Sequence, residues 1–86
     1  MSEVNANVID VLLPQSGMGM QDGEIVRWLK SEGAEVLEGE IIVEVEAAKA
    51  IVEIPAPCDG VLQTIVAAEG EVVEVRAVIA RIIPKS

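Results

Sequence analysis

The stretch Ile41-Ile42-Val43-Glu44-Val45-Glu46-Ala47-Ala48-Lys49-Ala50-Ile51-Val52-Glu53-Ile54-Pro55 decides the fold. Ile41, Val43 and Val45 alternate with Ile42, Glu44 and Glu46, while Val52 and Ile54 alternate with Ile51 and Glu53; period-2 alternation marks half-buried strands. A register in which partner numbers sum to 97 sets Val45 against Val52, Glu44 against Glu53 and Val43 against Ile54. Both apolar pairs then share one side, as a buried face demands, and Ala48 and Lys49 become the two loop residues of a hairpin. Two-residue loops usually carry Gly or Asn in a primed turn. This loop carries neither, so the expected turn is type I, tolerable for Ala and Lys but splaying the strands. Glu44 opposite Glu53 also brings like charges together at some cost. Such departures from local consistency are where function is expected.

The same grammar extends along the chain. Turn signals recur at Asp22-Gly23, Glu32-Gly33, Glu38-Gly39, Asp59-Gly60 and Glu69-Gly70, the even spacing of a small sandwich or barrel. Strands are expected at 7–13, 23–30, 41–47, 50–55, 60–67 and 78–83, with short ones around Val36 and Val73. A shift of 37 residues lays Asp22-Gly23 on Asp59-Gly60, Glu32-Gly33 on Glu69-Gly70, Val36 on Val73, and Ile41, Val43 and Val45 on Val78, Ala80 and Ile82. One half-motif is used twice. Neither copy can bury a core alone, so the two pack face to face as an all-β sandwich with approximate two-fold symmetry. The hairpin of Lys49 joins the copies and is exposed to solvent. Pro84 cannot continue a ladder, which divides the chain into a tail at 1–6, a domain at 7–83 and the start of a linker or tail at 84–86.

Composition narrows the function. Val and Ile fill 24 of 86 positions and Trp28 is the sole aromatic, which favours strands over helices. Six Lys or Arg against fifteen Asp or Glu give a net charge of −9; with the cations scattered singly, nucleic acid and membrane surfaces are poor partners. The longest apolar runs have four residues, such as Ile65-Val66-Ala67-Ala68, far below the roughly 18 of a membrane span. Without His and with one Cys, Ser-His-Asp and Cys-His catalysis are excluded and a zinc site is implausible. The N-terminal residues resemble neither a secretion leader nor a mitochondrial one, which with the lone Cys58 points to the cytoplasm of a bacterium, or to the mitochondrial matrix if a leader was removed.

Lys49 has two readings. As an arbitrary hairpin-tip Lys it is a solvated charge. Yet only Lys30 and Lys85 are other lysines, small residues flank Lys49, and it sits at the joint of the repeat. A protruding amine among small residues is what a modifying enzyme needs to attach a cofactor by an amide, which also removes the charge. The residues alone leave both readings open.

The run Pro14-Gln15-Ser16-Gly17-Met18-Gly19-Met20-Gln21-Asp22-Gly23-Glu24-Ile25-Val26-Arg27-Trp28-Leu29-Lys30-Ser31-Glu32-Gly33, then Val36, Gly39-Glu40 and Glu44-Val45-Glu46-Ala47-Ala48-Lys49-Ala50, resembles the lipoyl domains of dihydrolipoyl acyltransferases in 2-oxo acid dehydrogenase complexes. The resemblance spans roughly Val8 to Ile83. It implies a flattened barrel of two four-stranded antiparallel sheets, with the lysine hairpin at one end and both termini at the other. It implies lipoic acid on Lys49, attached by a lipoyl ligase or transferase. The arm would be reductively acylated by a thiamine-diphosphate-dependent 2-oxo acid decarboxylase, serve an acyltransferase core and be reoxidised by a flavin dihydrolipoyl dehydrogenase. The domain would be a monomeric carrier, inert by itself. Ala48 stands where the family commonly has Asp, and biotin carriers of the same fold commonly place Met on both sides of the lysine, where this chain has Ala48 and Ala50. The alternatives are therefore a biotin carboxyl carrier domain or an unmodified structural sandwich; Trp28 to Gly33 and the Met18 to Met20 loop favour the lipoyl type.

Further expectations concern single residues. Trp28 reads as a core or rim aromatic and Cys58 as a small hydrophobe in a turn. Glu44, Glu46 and Glu53 are expected to gather at the tip and steer basic partner surfaces, with Ala48 and Ala50 beside them. Met18 and Met20 are expected to form a soft contact surface beside the hairpin.

Overall fold

The computed structural model describes residues 8–15 and 19–85; the expected tail at 1–6 and Met18 lie outside the described residues. Eight strands appear there and no helix: β1 (Ile9–Leu12), β2 (Asp22–Trp28), β3 (Glu35–Val36), β4 (Ile41–Ala47), β5 (Ala50–Pro55), β6 (Gly60–Ile65), β7 (Val72–Glu74) and β8 (Val78–Pro84). They form two antiparallel four-stranded sheets, ordered β1-β8-β6-β3 and β5-β4-β2-β7. Every expected strand is present, with ends shifted by a few residues. Pro84 belongs to β8, opposite Gly60; the ladder reaches one residue beyond the expected domain end because Lys85 supplies the next donor, to the carbonyl of Asp59 at 2.9 Å.

The 37-residue repeat is visible in the sheets. It carries β2 onto β6, β3 onto β7 and β4 onto β8. Each half lends its short strand to the edge of the other half's sheet, so neither can close alone. Strand β1 is the counterpart of β5: Ile9 pairs with Ile82 as Val52 pairs with Val45, and Val11 with Ala80 as Ile54 with Val43. Backbone bonds between the halves repeat as well. Gly70 N–H donates to Ile25 O at 2.8 Å, and its counterpart Gly33 N–H to Leu62 O at 2.7 Å.

The core lies between the sheets and is purely apolar among the described residues. Nine Leu, Ile and Val side chains are fully buried there, each worth about 1.5–3 kcal/mol. The ion pairs Arg27–Glu44, Lys30–Glu40 and Arg81–Asp10 keep substantial solvent contact, where such pairs contribute at most about 1 kcal/mol. Burial therefore holds this domain together. Strict alternation fails at one instructive place. Ile42 was expected on the outward face, but both it and Val43 are fully buried, because the register between β4 and β5 shifts between Ile41 and Val43. A bulge adds one residue and turns the next side chain inward. Ile79 and Ala80 repeat this in β8, where the β1 register shifts in turn.

Strand directions set the two ends. Strand β4 runs from the Val36–Gly60–Pro84 edge to the lysine hairpin, and Asp22 and Glu74 pair at the hairpin end. After a short turn β8 runs back, ending with Pro84 away from Lys49.

Candidate functional site

The hairpin pairs Val45 with Val52, Glu46 with Ile51 and Ala47 with Ala50, leaving Ala48 and Lys49 at the tip. Their φ angles are +51° and +68°, so both loop residues are left-handed and the turn is the primed kind rather than the expected type I. The physical reason is twist: a primed turn matches the right-handed twist of the flanking strands, whereas type I would splay them. The two side chains bear a left-handed backbone at a cost of about 1–2 kcal/mol per residue. Ala47 is buried while Ala48, Lys49 and Ala50 are exposed. The protrusion is thus short and anchored directly on the core. Lys49 forms no ion pair with any described residue.

The carboxylates distribute differently from expectation. Glu46 is exposed and sits between Ile51 and Glu24. Glu53 is exposed opposite Glu44 as expected. Glu44, however, is half-buried with Arg27 Nε 3.6 Å from its Oε1, so a cation offsets the like-charge pair and Glu44 is not a free member of an acidic tip. Asp22 and Glu74, paired and exposed at the lysine end, and Glu24 complete the acidic surface there. Composition alone does not gather these three at the hairpin, because β2, which holds Asp22 and Glu24, and β7, which holds Glu74, are remote from each other and from Lys49 in sequence.

Met20 corrects the expected soft contact surface. It is 8% exposed and part of the core, tucked inward where the chain enters β2. Trp28 is a rim residue; its Nε1–H donates to Ala67 O at 2.8 Å. Cys58 is half-buried against the core. No group of metal-ligating side chains occurs among the described residues. Hollows lie elsewhere: an apolar one of about 170 Å³ between Leu37, Val61, Ile83 and Pro84 at the terminal end, and an open groove beside Trp28. What the lysine end offers chemically is an accessible primary amine.

The two ends of the barrel are counterparts, and their differences collect at Lys49. Pro14 to Asp22 is six residues longer than the matching Pro57 to Asp59, the extra length holding Met18 and Met20. Arg76, with φ +75°, stands where the other half has Gly39, with φ +88°. Sequence reading passed over Arg76, although carrying the 37-residue shift one turn further would have exposed the substitution.

Comparison with known proteins agrees with this fold. The biotin/lipoyl family model, described as a biotin-requiring enzyme, matches residues 9–82. The chain is 39% identical over 67 residues to the dihydrolipoyllysine-residue succinyltransferase component of the 2-oxoglutarate dehydrogenase complex of Buchnera aphidicola, covering 78% of this chain and 16% of the relative. It is 39% identical over 70 residues to the dihydrolipoyllysine-residue acetyltransferase component of the pyruvate dehydrogenase complex of Staphylococcus aureus, covering 81% and 16%. The chain thus spans about a sixth of the length of these relatives. Among solved structures, the lipoyl domain of the 2-oxoglutarate dehydrogenase complex of Azotobacter vinelandii superposes with a TM-score of 0.75 at 31% identity, covering 91% of this chain and 99% of that domain. The urea carboxylase of Kluyveromyces lactis, at 20% identity and a TM-score of 0.79 over 95% of this chain, shares the fold.

Proposed function

The chain belongs to the biotin/lipoyl family as a lipoyl domain of the dihydrolipoyl acyltransferase type, and from that premise we propose that lipoic acid is joined by an amide to Nζ of Lys49. The observation that carries the proposal is the presentation of Lys49 on an exposed turn at the end opposite the C-terminal strand end. The residues fit the group. Lys49 is unpaired among the described residues, exposed Ala48 and Ala50 leave room for a ligase or transferase to close over it, and buried Ala47 fixes the base of the turn. When bound, lipoic acid supplies a disulfide able to accept an acyl group and two electrons.

The domain's own contribution is presentation. The hairpin holds the amine clear of the core, and the chain leaves β8 at the opposite end, so a tether there would not crowd the arm. Such tethering raises the arm's effective concentration at each enzyme it visits. We assign it a thiamine-diphosphate-dependent 2-oxo acid decarboxylase, an acyltransferase core and a flavin dihydrolipoyl dehydrogenase as partners, and no reaction of its own. Biotin carriage fits the same fold, but relatives at 31–39% identity favour lipoyl. Intact mass after coexpression with a lipoyl ligase or a biotin ligase tests the reading. A lipoyl-sized gain that disappears in Lys49→Arg is expected; a biotin-sized gain, or none, overturns it.

A further inference from the structure

Resting on the carrier reading above, we propose that Arg76 is an anchoring residue that binds a carboxylate on the decarboxylase acting on the Lys49 arm. The internal repeat serves as the control. In one half Gly39 N–H donates to Ala56 O at 2.9 Å; in the other Arg76 N–H donates to Leu13 O at 2.8 Å. Ala56 and Leu13 are the buried residues that follow β5 and β1, so the two turns do the same structural work. Both need a left-handed residue, with φ of +88° and +75°. Glycine supplies that conformation without strain and arginine does not. A Cβ at Gly39 would meet nothing within 4 Å, so space does not dictate the choice in this turn. The strain at Arg76 therefore accompanies its side chain, and strained residues cluster where the side chain has a task.

Position indicates the task. Arg76 is exposed and follows Glu74 at the lysine end, two strands from β4, about 10 Å across the sheet. Its turn also holds the entry to β2, through Val75 N–H to Gln21 O at 3.0 Å. It has no acidic partner among the described residues, although Asp22, Glu24, Glu46 and Glu74 are all at this end. Amide formation would discharge Lys49, leaving Arg76 as the positive charge there. A guanidinium in open water grips a mobile carboxylate weakly, so even an acyl group that carries a carboxylate is a poor ligand on the arm, and a neutral one offers the guanidinium no charge. A carboxylate on a docking enzyme, desolvated as the surfaces meet, is a good one; Arg is enriched among residues that anchor interfaces. The partner that fits is a basic surface carrying one acidic side chain opposite Arg76. A wholly basic surface would be penalised at that point, which is a device for specificity.

The test takes the 86-residue chain lipoylated on Lys49, verified by intact mass, and measures reductive acylation by the pyruvate and 2-oxoglutarate decarboxylase components at low and moderate salt. Long-range charge and a specific contact predict opposite signs. Arg76→Gly makes an acidic domain more acidic, which by steering alone would speed encounter with a basic surface. The anchor predicts at least a tenfold rise in KM with kcat nearly unchanged, Arg76→Lys in between, and a Tm for Arg76→Gly at or above that of the parent. A Gly variant whose kcat/KM equals or exceeds the parent's overturns the proposal. So does a loss confined to kcat, which would place the arginine on the reacting group instead. A parent that gains no lipoyl mass removes the carrier reading and this one together, whereas a lipoylated parent matched by Arg76→Gly removes only the anchor.

Discussion

Glu32 and Glu69 close each other's half of the barrel: Glu32 Oε2 accepts the N–H of Ile65 at 2.8 Å, and Glu69 Oε2 accepts the N–H of Trp28 at 3.0 Å. Ile65 and Trp28 are themselves counterparts under the 37-residue repeat, so one turn motif satisfies the last donor of β6 in one half and of β2 in the other. Hydrogen bonds to charged groups contribute about 1.5–3 kcal/mol in favourable settings, less where water competes as it does here. Glu32→Ala and Glu69→Ala are each expected to cost about 1 kcal/mol, and the double variant the sum within about 0.5 kcal/mol. Urea unfolding decides it; a double variant no worse than either single would mean that the two staples are one cooperative unit.

The lysine turn is strained at a position where the remedy is simple. Ala48 holds φ +51°, which Gly or Asn adopts more cheaply. Ala48→Gly is expected to stabilise the domain by about 1 kcal/mol, while Ala48→Val destabilises it because a β-branched residue tolerates the left-handed region poorly. Thermal melts of the three proteins give the order Gly, Ala, Val. An inverted order would show that the turn relaxes to another type in solution.

Much of this fold was legible because its signals are local. Alternation in 41–47 and 50–55 fixed both strands and the Val45–Val52 register, since a buried face tolerates no slip. The repeat of Asp-Gly and Glu-Gly located the counterpart strands. Three features depend on partners and escaped. The bulges that bury Ile42 and Ile79 are set by the neighbouring strand. The left-handed Ala48 and Lys49 follow from strand twist, against their own preferences; Asp, common before the lysine in the family, is more at ease there than Ala. Met20 is buried at the entry to β2, a tertiary placement that the loop-like composition around it, with Gly17, Gly19 and Gln21, conceals.

Gly23 and Gly60 look like turn residues but lie in strands, second in β2 and first in β6, and close approach explains them. A Cβ at Gly23 would come 2.5 Å from Val45 Cγ1, a side-chain atom; one at Gly60 would strike the carbonyl oxygen of Ile83, which is backbone in a central strand. Gly23→Ala is therefore expected to cost about 1–3 kcal/mol, as overpacking does, and Gly60→Ala distinctly more. Equal losses in chemical denaturation would contradict the distinction between a side chain that can shift and a ladder that cannot.

Among the described residues, Glu40 contributes to acid stability. The Lys30 ammonium, 2.8 Å from Glu40 Oε2, and the Leu37 N–H, 3.0 Å from Oε1, hold the Glu40 carboxyl below its ordinary value. A carboxyl lowered in the fold stabilises it above the unfolded-chain value, and that stability is lost as pH falls through the folded value. Lys30→Met should move the Glu40 titration up towards the ordinary carboxylate range and flatten the acid limb of the stability profile. Carbon-13 titration of the Glu40 carboxyl reads the first effect directly; an unmoved titration would mean that the pair is not formed in solution.

Presentation of Lys49, rather than the local string Glu46 to Ala50, is expected to govern its modification. Val45 and Val52 face each other across the hairpin and Ala47 seals its base, so the amine's position is tied to the register of β4. One residue inserted between Glu46 and Ala47 leaves the core pairs Val45–Val52 and Val43–Ile54 in place. The tip must absorb the change, because side chains alternate with period 2 and an odd insertion cannot preserve both the buried Ala47 and the two-residue turn. The barrel should melt within about 1 kcal/mol equivalent of the parent, as expected when the change stays outside the core, while lipoylation by the ligase falls at least tenfold. Restoring symmetry with a second residue between Ala50 and Ile51 lengthens both strands equally and should recover much of the lost modification. If the single insertion is lipoylated as fast as the parent, the ligase reads sequence alone and the hairpin's geometry serves only the partners that act afterwards.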